Sequence, residues 1–517
     1  MLALALMCCC ACMPVGPVEP VAALSYCGPS PLFGAPIEVT DTSPDELTVN
    51  FNLQTTPMAR VGNELVISYW VETRSAVSHT RPRHRRLNLS TLAFDAADST
   101  DTLGQAATGN YHERPSLLRD QAGNVLILQP DTSYSPACSG LARDCVRGGI
   151  LALNAAWTPA RLTNGTPSSA SYDFATLWDP KSNTSYFFGE MGNAGSYAWG
   201  AESVPQGLSK SFWRITGSVA TAGNYDGPYV PLNAAGAQQP TISGCTTSGP
   251  GNVFAKGRPV LGVDRSTLHL LWARDLTFGI CDPSTTCGTV YASCPTVNGV
   301  EFQYGLFYAS SVDRGVTWCN RAGSTCTTAL AKIVYPWSAY QLESTDTRMN
   351  TEYSWDIGPD GDIYILALLH DGDAGDLTGG QVDWIKADPD TGKVPVPTIT
   401  IIPSLIRYAR NGTRTVTALD AGGNSVVHYA LFSGAYGELV ALRASPGVSA
   451  LAYRRSMDHG VTWTPAWTVL AGASANDRDL SIYRDDLDRG LIHLLYADAV
   501  LLASSPSVWY RSMRMWR

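Results

Sequence analysis

The sequence predicts an all-β fold: a β-propeller of seven four-stranded antiparallel blades, with six blades as the alternative. Two observations carry that prediction. The composition suits short strands and turns, with 47 Gly, 32 Pro, 23 Tyr and 14 Trp against only 16% charged residues. A two-strand pattern also recurs along the chain, and no segment of useful length shows the 3.6-residue apolar period of a helix.

Each copy is a strand, a turn rich in Gly, Asn or Asp, and a second, more apolar strand. In order they are "MARVGNELVISYW" (58–70), "PSLLRDQAGNVLILQ" (115–129), "ATLWDPKSNTSYFFGE" (175–190), "PVLGVDRSTLHLLWA" (259–273), "YSWDIGPDGDIYILAL" (353–368), "VTALDAGGNSVVHYALF" (416–432) and "LSIYRDDLDRGLIHLLYA" (480–497). Their turns fall near 63, 124, 183, 265, 361, 423 and 489. A hairpin cannot bury both its faces alone. A spacing near 60 residues leaves room for two further strands per unit, and such units bury one another's faces when arranged around an axis.

The 517 residues divide into a leader, 1–26, and one propeller domain, 27–517, with cysteine-containing loop insertions. "MLALALMCCCACMP" is apolar, resembles the hydrophobic part of a secretory signal and is too short to span a bilayer. No other segment is apolar enough to cross a membrane. An exported protein is expected, secreted, periplasmic or on the cell surface, with lipid anchoring through Cys8, Cys9, Cys10 or Cys12 as a variant. The 13 cysteines show no zinc spacing, and close pairs such as Cys319 and Cys326 suit short disulfide-closed loops. A net charge of −9 argues against a nucleic-acid partner. The basic run "HTRPRHRR" (79–86) reads as an exposed loop. Asp371, Asp373 and Asp376 are spaced somewhat like a calcium loop but lack the closing Glu, so they read as a solvated loop and no metal or other cofactor is expected. The protein is expected to act as a monomer.

An eight-residue unit, Ser-x-Asp-x-Gly-x-Thr-Trp, occurs twice: "SVDRGVTW" (311–318) and "SMDHGVTW" (456–463). Both copies follow a predicted third strand. There the carboxylates of Asp313 and Asp458 can accept backbone N–H bonds, Gly315 and Gly460 can take a positive φ, and Trp318 and Trp463 can pack between blades. Each requirement is structural, so these residues read as fasteners.

The unit resembles the Asp-box, or BNR repeat, of sialidase-like propellers. The wider pattern is similar to the BNR-repeat family that includes ulvan-lyase-like polysaccharide lyases. The resemblance implies a box on the face away from the active site. It also implies a site histidine at His112, since "HERP" (112–115) matches the His-x-x-Pro of the lyases. The chain departs from both patterns. Glu113 stands where sialidases carry the Arg of Arg-Ile-Pro, with Arg114 directly before Pro115, and the second lyase His is absent near Thr132.

Propeller ligands sit over the axis, where the innermost strands begin. That end collects His112, Arg114, Tyr172, Arg258, Glu352, Tyr353 and Arg478. An anionic sugar suits them. Arg114, Arg258 or Arg478 can neutralise a uronate carboxylate, and His112, Tyr172 or Tyr353 can move a proton. Glu352 completes the substrate-binding set. The expected function is cleavage of an anionic polysaccharide or glycoconjugate, by lyase-type elimination or sialidase-type hydrolysis. The second reading is a non-catalytic propeller that binds glycans or protein.

Overall fold

The computed structural model describes residues 32–39, 46–49, 56–73, 79–95, 99–100, 116–131, 145–151, 157–161, 171–191, 209–221, 224–233, 253–262, 264, 266–278, 300–328, 333–334, 337–370, 401–420, 428–445, 449–470, 477–498 and 507–515. These form a β-propeller of antiparallel blades. The first sheet holds Met58–Val61, Glu64–Thr73 and His79–Asn88 with three short flanking strands. The second holds Ser116–Arg119, Val125–Asp131, Cys145–Leu151 and Trp157–Arg161. The third runs from Ser171–Asp179 through Thr184–Met191 and Ser209–Thr216 to Tyr225–Asn233, and Ile333–Val334 adds a parallel edge.

The fourth sheet overturns the seven-blade expectation. Among the described residues six sheets form, giving six blades. The fourth contains two predicted hairpins, Val253–Leu261 with Leu268–Phe278 and Gln341–Ile357 with Ile363–His370. The cause is the length of Gln341–Ile357. Its first half pairs with Val300–Ser311, the strand that follows the preceding hairpin in the sheet, through Phe307–Gln341 and Gln303–Met349. Its second half pairs with Ile363–His370, through Tyr353–Ala367 and Ile357–Ile363. One strand thus closes one unit and opens the next.

Two other expectations are corrected. The hairpin predicted over 416–432 is a crossover. Arg414–Ala418 ends the fourth sheet on Ile401–Tyr408, whereas His428–Ser433 begins the fifth and pairs with Leu439–Ser445. The Gly/Asn cluster there signals a turn but not which strands flank it. The basic run is a strand, His79–Asn88, paired along its whole length with Glu64–Thr73. His84 is buried in this strand, and Arg86 meets Glu64 of the neighbouring strand at 3.6 Å.

Apolar clusters fill the spaces between neighbouring sheets: first and second, second and third, fourth and fifth, fifth and sixth. The ring closes where the sixth sheet packs on the first, through Met58, Leu65, Tyr69, Leu495 and Tyr510. The sixth sheet, Asp477–Arg484, Leu491–Asp498 and Val508–Arg514, takes its outer strands from the other end of the chain, Leu32–Phe33 and Ile37–Glu38. Val39 is fully buried in the closing cluster. A chain starting at residue 27 keeps all these pairings. A chain starting at 41 loses them, bares the edge of Val508–Arg514, and is expected to unfold at a clearly lower urea concentration or to aggregate. Equal midpoints for the two truncations would refute this.

The two Ser-x-Asp-x-Gly-x-Thr-Trp units have the same geometry. Ser311 Oγ donates to Asp313 Oδ1 and accepts from Gly315 N–H, Thr317 N–H donates to Asp313 Oδ1, and Trp318 Nε1–H donates to Gly315 O, at 2.8, 2.8, 2.8 and 3.0 Å. Ser456, Asp458, Gly460, Thr462 and Trp463 repeat the set at 2.8, 2.8, 2.8 and 3.1 Å. Gly315 and Gly460 have φ of 85° and 83°. A Cβ on Gly315 would lie 2.3 Å from Phe212 of the third sheet, and one on Gly460 2.0 Å from Leu405 of the fourth. Trp318 is fully buried against Phe188 and Phe212, so the unit packs its sheet on the one before. Just beyond the first copy, Cys319 and Cys326 form a disulfide across a small hairpin.

Candidate functional site

Five inner strands define the axis. Thr176–Trp178, Val260–Leu261, Trp355–Asp356, Leu431–Phe432 and Ile482–Arg484 line one axial cavity. All lie in the later parts of their strands. The inner strands therefore run the same way, with their hairpin turns gathered at one end of the axis. Their beginnings gather at the other.

The turn end is tied by ion pairs that sequence reasoning missed. Asp356 accepts from Ser433 N–H and Ser433 Oγ–H, each at 2.8 Å, and from the Arg484 guanidinium. Asp485 accepts from Arg60 Nη1 at 2.7 Å and from the N–H groups of Leu487 and Asp488, and its Oδ2 lies 3.2 Å from His493 Nε2. The His493 ring is stacked between Tyr483 and Tyr510. Burial holds His493 below the ordinary histidine value although Asp485 pulls the other way. Burial would raise Asp485, but His493 and Arg60 outweigh it and hold it below the carboxylate range. Arg489 Nη1 reaches the carbonyls of Leu261 and Gly262 in the fourth sheet, both at 3.1 Å. Tyr483 Oη–H donates to Asp486 at 2.6 Å. The carboxylates at this end are already committed to donors in their own ring. The arrangement braces the blades.

The described positions among those read from the sequence lie toward the opposite end. His112 and Arg114 lie outside the described residues. Tyr172 and Arg478 are each the second residue of an inner strand, and the backbone pairs Tyr172 with Glu190. Arg258 pairs with Leu271, and Glu352 and Tyr353 follow an irregularity in register after Met349. Of these residues beyond His112 and Arg114, only Tyr353 has a described side chain. Its half-buried hydroxyl donates to Leu271 O at 3.2 Å. Leu271 is the register partner of Arg258, so Tyr353 sits beside the backbone that carries Arg258. The strand of Arg258 also contacts the strand of Tyr172. The fold therefore places Tyr172 and Arg258 on contacting inner strands, and Tyr353 beside the strand that pairs with Arg258. The calcium-like stretch with Asp371, Asp373 and Asp376 lies outside the described residues.

No protein-family model and no curated protein matches the chain. Among solved structures it is similar to the polysaccharide lyase Uly1, at 11% identity and a TM-score of 0.59, over 93% of this chain and 99% of that one. It is also similar to a PL25 ulvan lyase solved with -[GlcA(1-4)Rha3S]-, at 11% identity and a TM-score of 0.60, over 90% and 93% of the two chains. At such identities the likeness shows a shared propeller fold.

Proposed function

We propose that this chain is an exported carbohydrate-active propeller that cleaves an anionic polysaccharide beside a uronate by β-elimination. The observation that carries the reading is the match, over nearly the whole of both chains, to ulvan lyase propellers, one of which holds a glucuronate-containing fragment. The positions read from the sequence supply the needed groups. A guanidinium from Arg114, Arg258 or Arg478 neutralises the carboxylate and acidifies the neighbouring C–H. His112 or a tyrosine removes that proton, and a second group protonates the departing glycosidic oxygen. Tyr172 and Tyr353 stand on inner strands for these roles, with Glu352 holding sugar hydroxyls. The Cys319–Cys326 disulfide supports export, since disulfides persist in oxidising compartments.

One observation favours a second reading, a glycan-binding propeller without catalysis: the Tyr353 hydroxyl is already spent on a backbone carbonyl. The two readings part in one experiment. Purified protein is incubated with a panel of sulfated and unsulfated uronate polysaccharides while ultraviolet absorbance follows unsaturated uronate. A steady rise is expected, reduced about 100-fold or more in His112→Ala and Arg258→Ala. Released sialic acid without unsaturated uronate would replace elimination with hydrolysis. Silence across the panel, with binding retained, would establish the second reading.

A further inference from the structure

We propose that Asp360, Asp362 and His459 form a divalent transition-metal site that clips the fourth sheet to the fifth. Asp360 and Asp362 lie in the turn between Gln341–Ile357 and Ile363–His370, and His459 lies in the turn after Ser449–Ser456. These turns belong to different sheets, yet one ligand atom from each of the three side chains falls within 4.8 Å of the others. His459 Nδ1 is 3.4 Å from Asp360 Oδ2 and 3.9 Å from Asp362 Oδ2. Bonds of about 2.0–2.2 Å in a tetrahedron separate ligand atoms by about 3.3–3.6 Å, so small movements suffice.

The donors are held from behind. Asp360 Oδ1 accepts Asp362 N–H at 3.0 Å, and Asp362 Oδ1 accepts Arg410 N–H at 2.7 Å. His459 N–H donates to Gly437 O at 2.9 Å, and the bare Cα of Gly437 leaves room for the ring, since a Cβ would lie 2.6 Å from Nε2. Nδ1 shares a 2.6 Å hydrogen bond with Tyr364 Oη, so a proton on Nδ1 serves Tyr364 and leaves Asp360 Oδ2 facing the ring at a longer distance. A cation there satisfies Nδ1 and Asp360 Oδ2 together. Arg407 pairs with Asp362 Oδ2 at 2.7 Å, which makes Asp362 the weakest of the three donors and favours a nitrogen-seeking ion such as Zn²⁺ over Ca²⁺. One side chain of each sheet, Asp360 and His459, is part-exposed, so the ion has a path in and an open position for water.

The test is calorimetric titration of the full, oxidised, metal-stripped chain with ZnCl₂, and thermal unfolding with and without it. One equivalent of Zn²⁺ should bind and raise the melting temperature. Asp360→Asn and His459→Gln should each weaken that binding about tenfold or more and abolish the rise, with the zinc-free melting temperature changed little. Absence of binding overturns the site. So does binding that both variants retain, which would place the ion on other ligands.

Discussion

Acidification from pH 7 to pH 4.5 will destabilise this propeller steeply. His84 and His493, both buried, and the part-buried His269 are responsible. Burial, with help from Arg86, lowers His84 to about 3, and burial lowers His269 to about 4 against the pull of Asp264. His493 is lowered in the same direction by the same cause. A histidine with a folded pKa below its unfolded value of 6.5 stays neutral in the native state while the unfolded chain takes up the proton. Stability is therefore full above pH 6.5 and is lost as pH falls toward the folded values, by about 1.4 kcal/mol per pH unit for each histidine. For His84 and His269 together that is about 3 kcal/mol per pH unit at most, against a total stability on the order of 10 kcal/mol. The paired aspartates act later: Asp264, held at about 2 by the Ser266 and Thr267 donors in spite of its burial, loses its contribution only below the ordinary carboxylate value. Urea midpoints at pH 7.5, 6, 5 and 4.5 should fall progressively, and His84→Gln should make the slope measurably shallower. A profile flat from pH 6.5 to 4.5 would show that these rings are hydrated or charged in the native state.

Asp485→Ala should cost about 3–5 kcal/mol, among the largest effects of any single substitution at the axis. The Asp485 carboxylate is fully buried and serves Arg60, His493 and two turn N–H groups at once. Its removal leaves a guanidinium and an imidazole with unmet hydrogen-bonding groups at the seam where the first and sixth sheets close the ring. Arg60→Ala alone should cost less, because Arg60 is part-exposed and Asp485 keeps its two turn N–H donors and His493. The double variant should be less destabilised than the sum of the two, and denaturant unfolding of all four proteins measures the coupling. Strict additivity would mean that Arg60 and Asp485 act independently.

The candidate site was legible only as positions. Tyr172, Arg258, Tyr353 and Arg478 were found because they sit on inner strands of hairpins, and hairpins announce themselves through alternation and turn residues. That the Tyr353 hydroxyl is bonded to the partner of Arg258 was not legible, because it depends on how two hairpins share the fourth sheet. The inner-strand partners Asp356 and Arg484 are 128 residues apart, and Arg60 and Asp485 are 425 apart, so no local pattern joins them. The one misplaced hairpin shows the same limit: "DAGGN" (420–424) calls for a turn, and only the pairing of strands beyond it decides whether that turn lies within a sheet or between two.

Short-range chemistry is what the amino-acid order determined here without help. It set the strands by alternation and the turns by Gly and Asp. It set the two Ser-x-Asp-x-Gly-x-Thr-Trp fasteners too, since most of their hydrogen bonds close within a few residues. Tertiary structure alone decided that there are six sheets, that the chain's first described strands complete its last sheet, and that His84, His269 and His493 are kept neutral. Those outcomes depend on which strand edges meet and how deeply a ring is buried, and both are properties of the closed ring rather than of any segment in it.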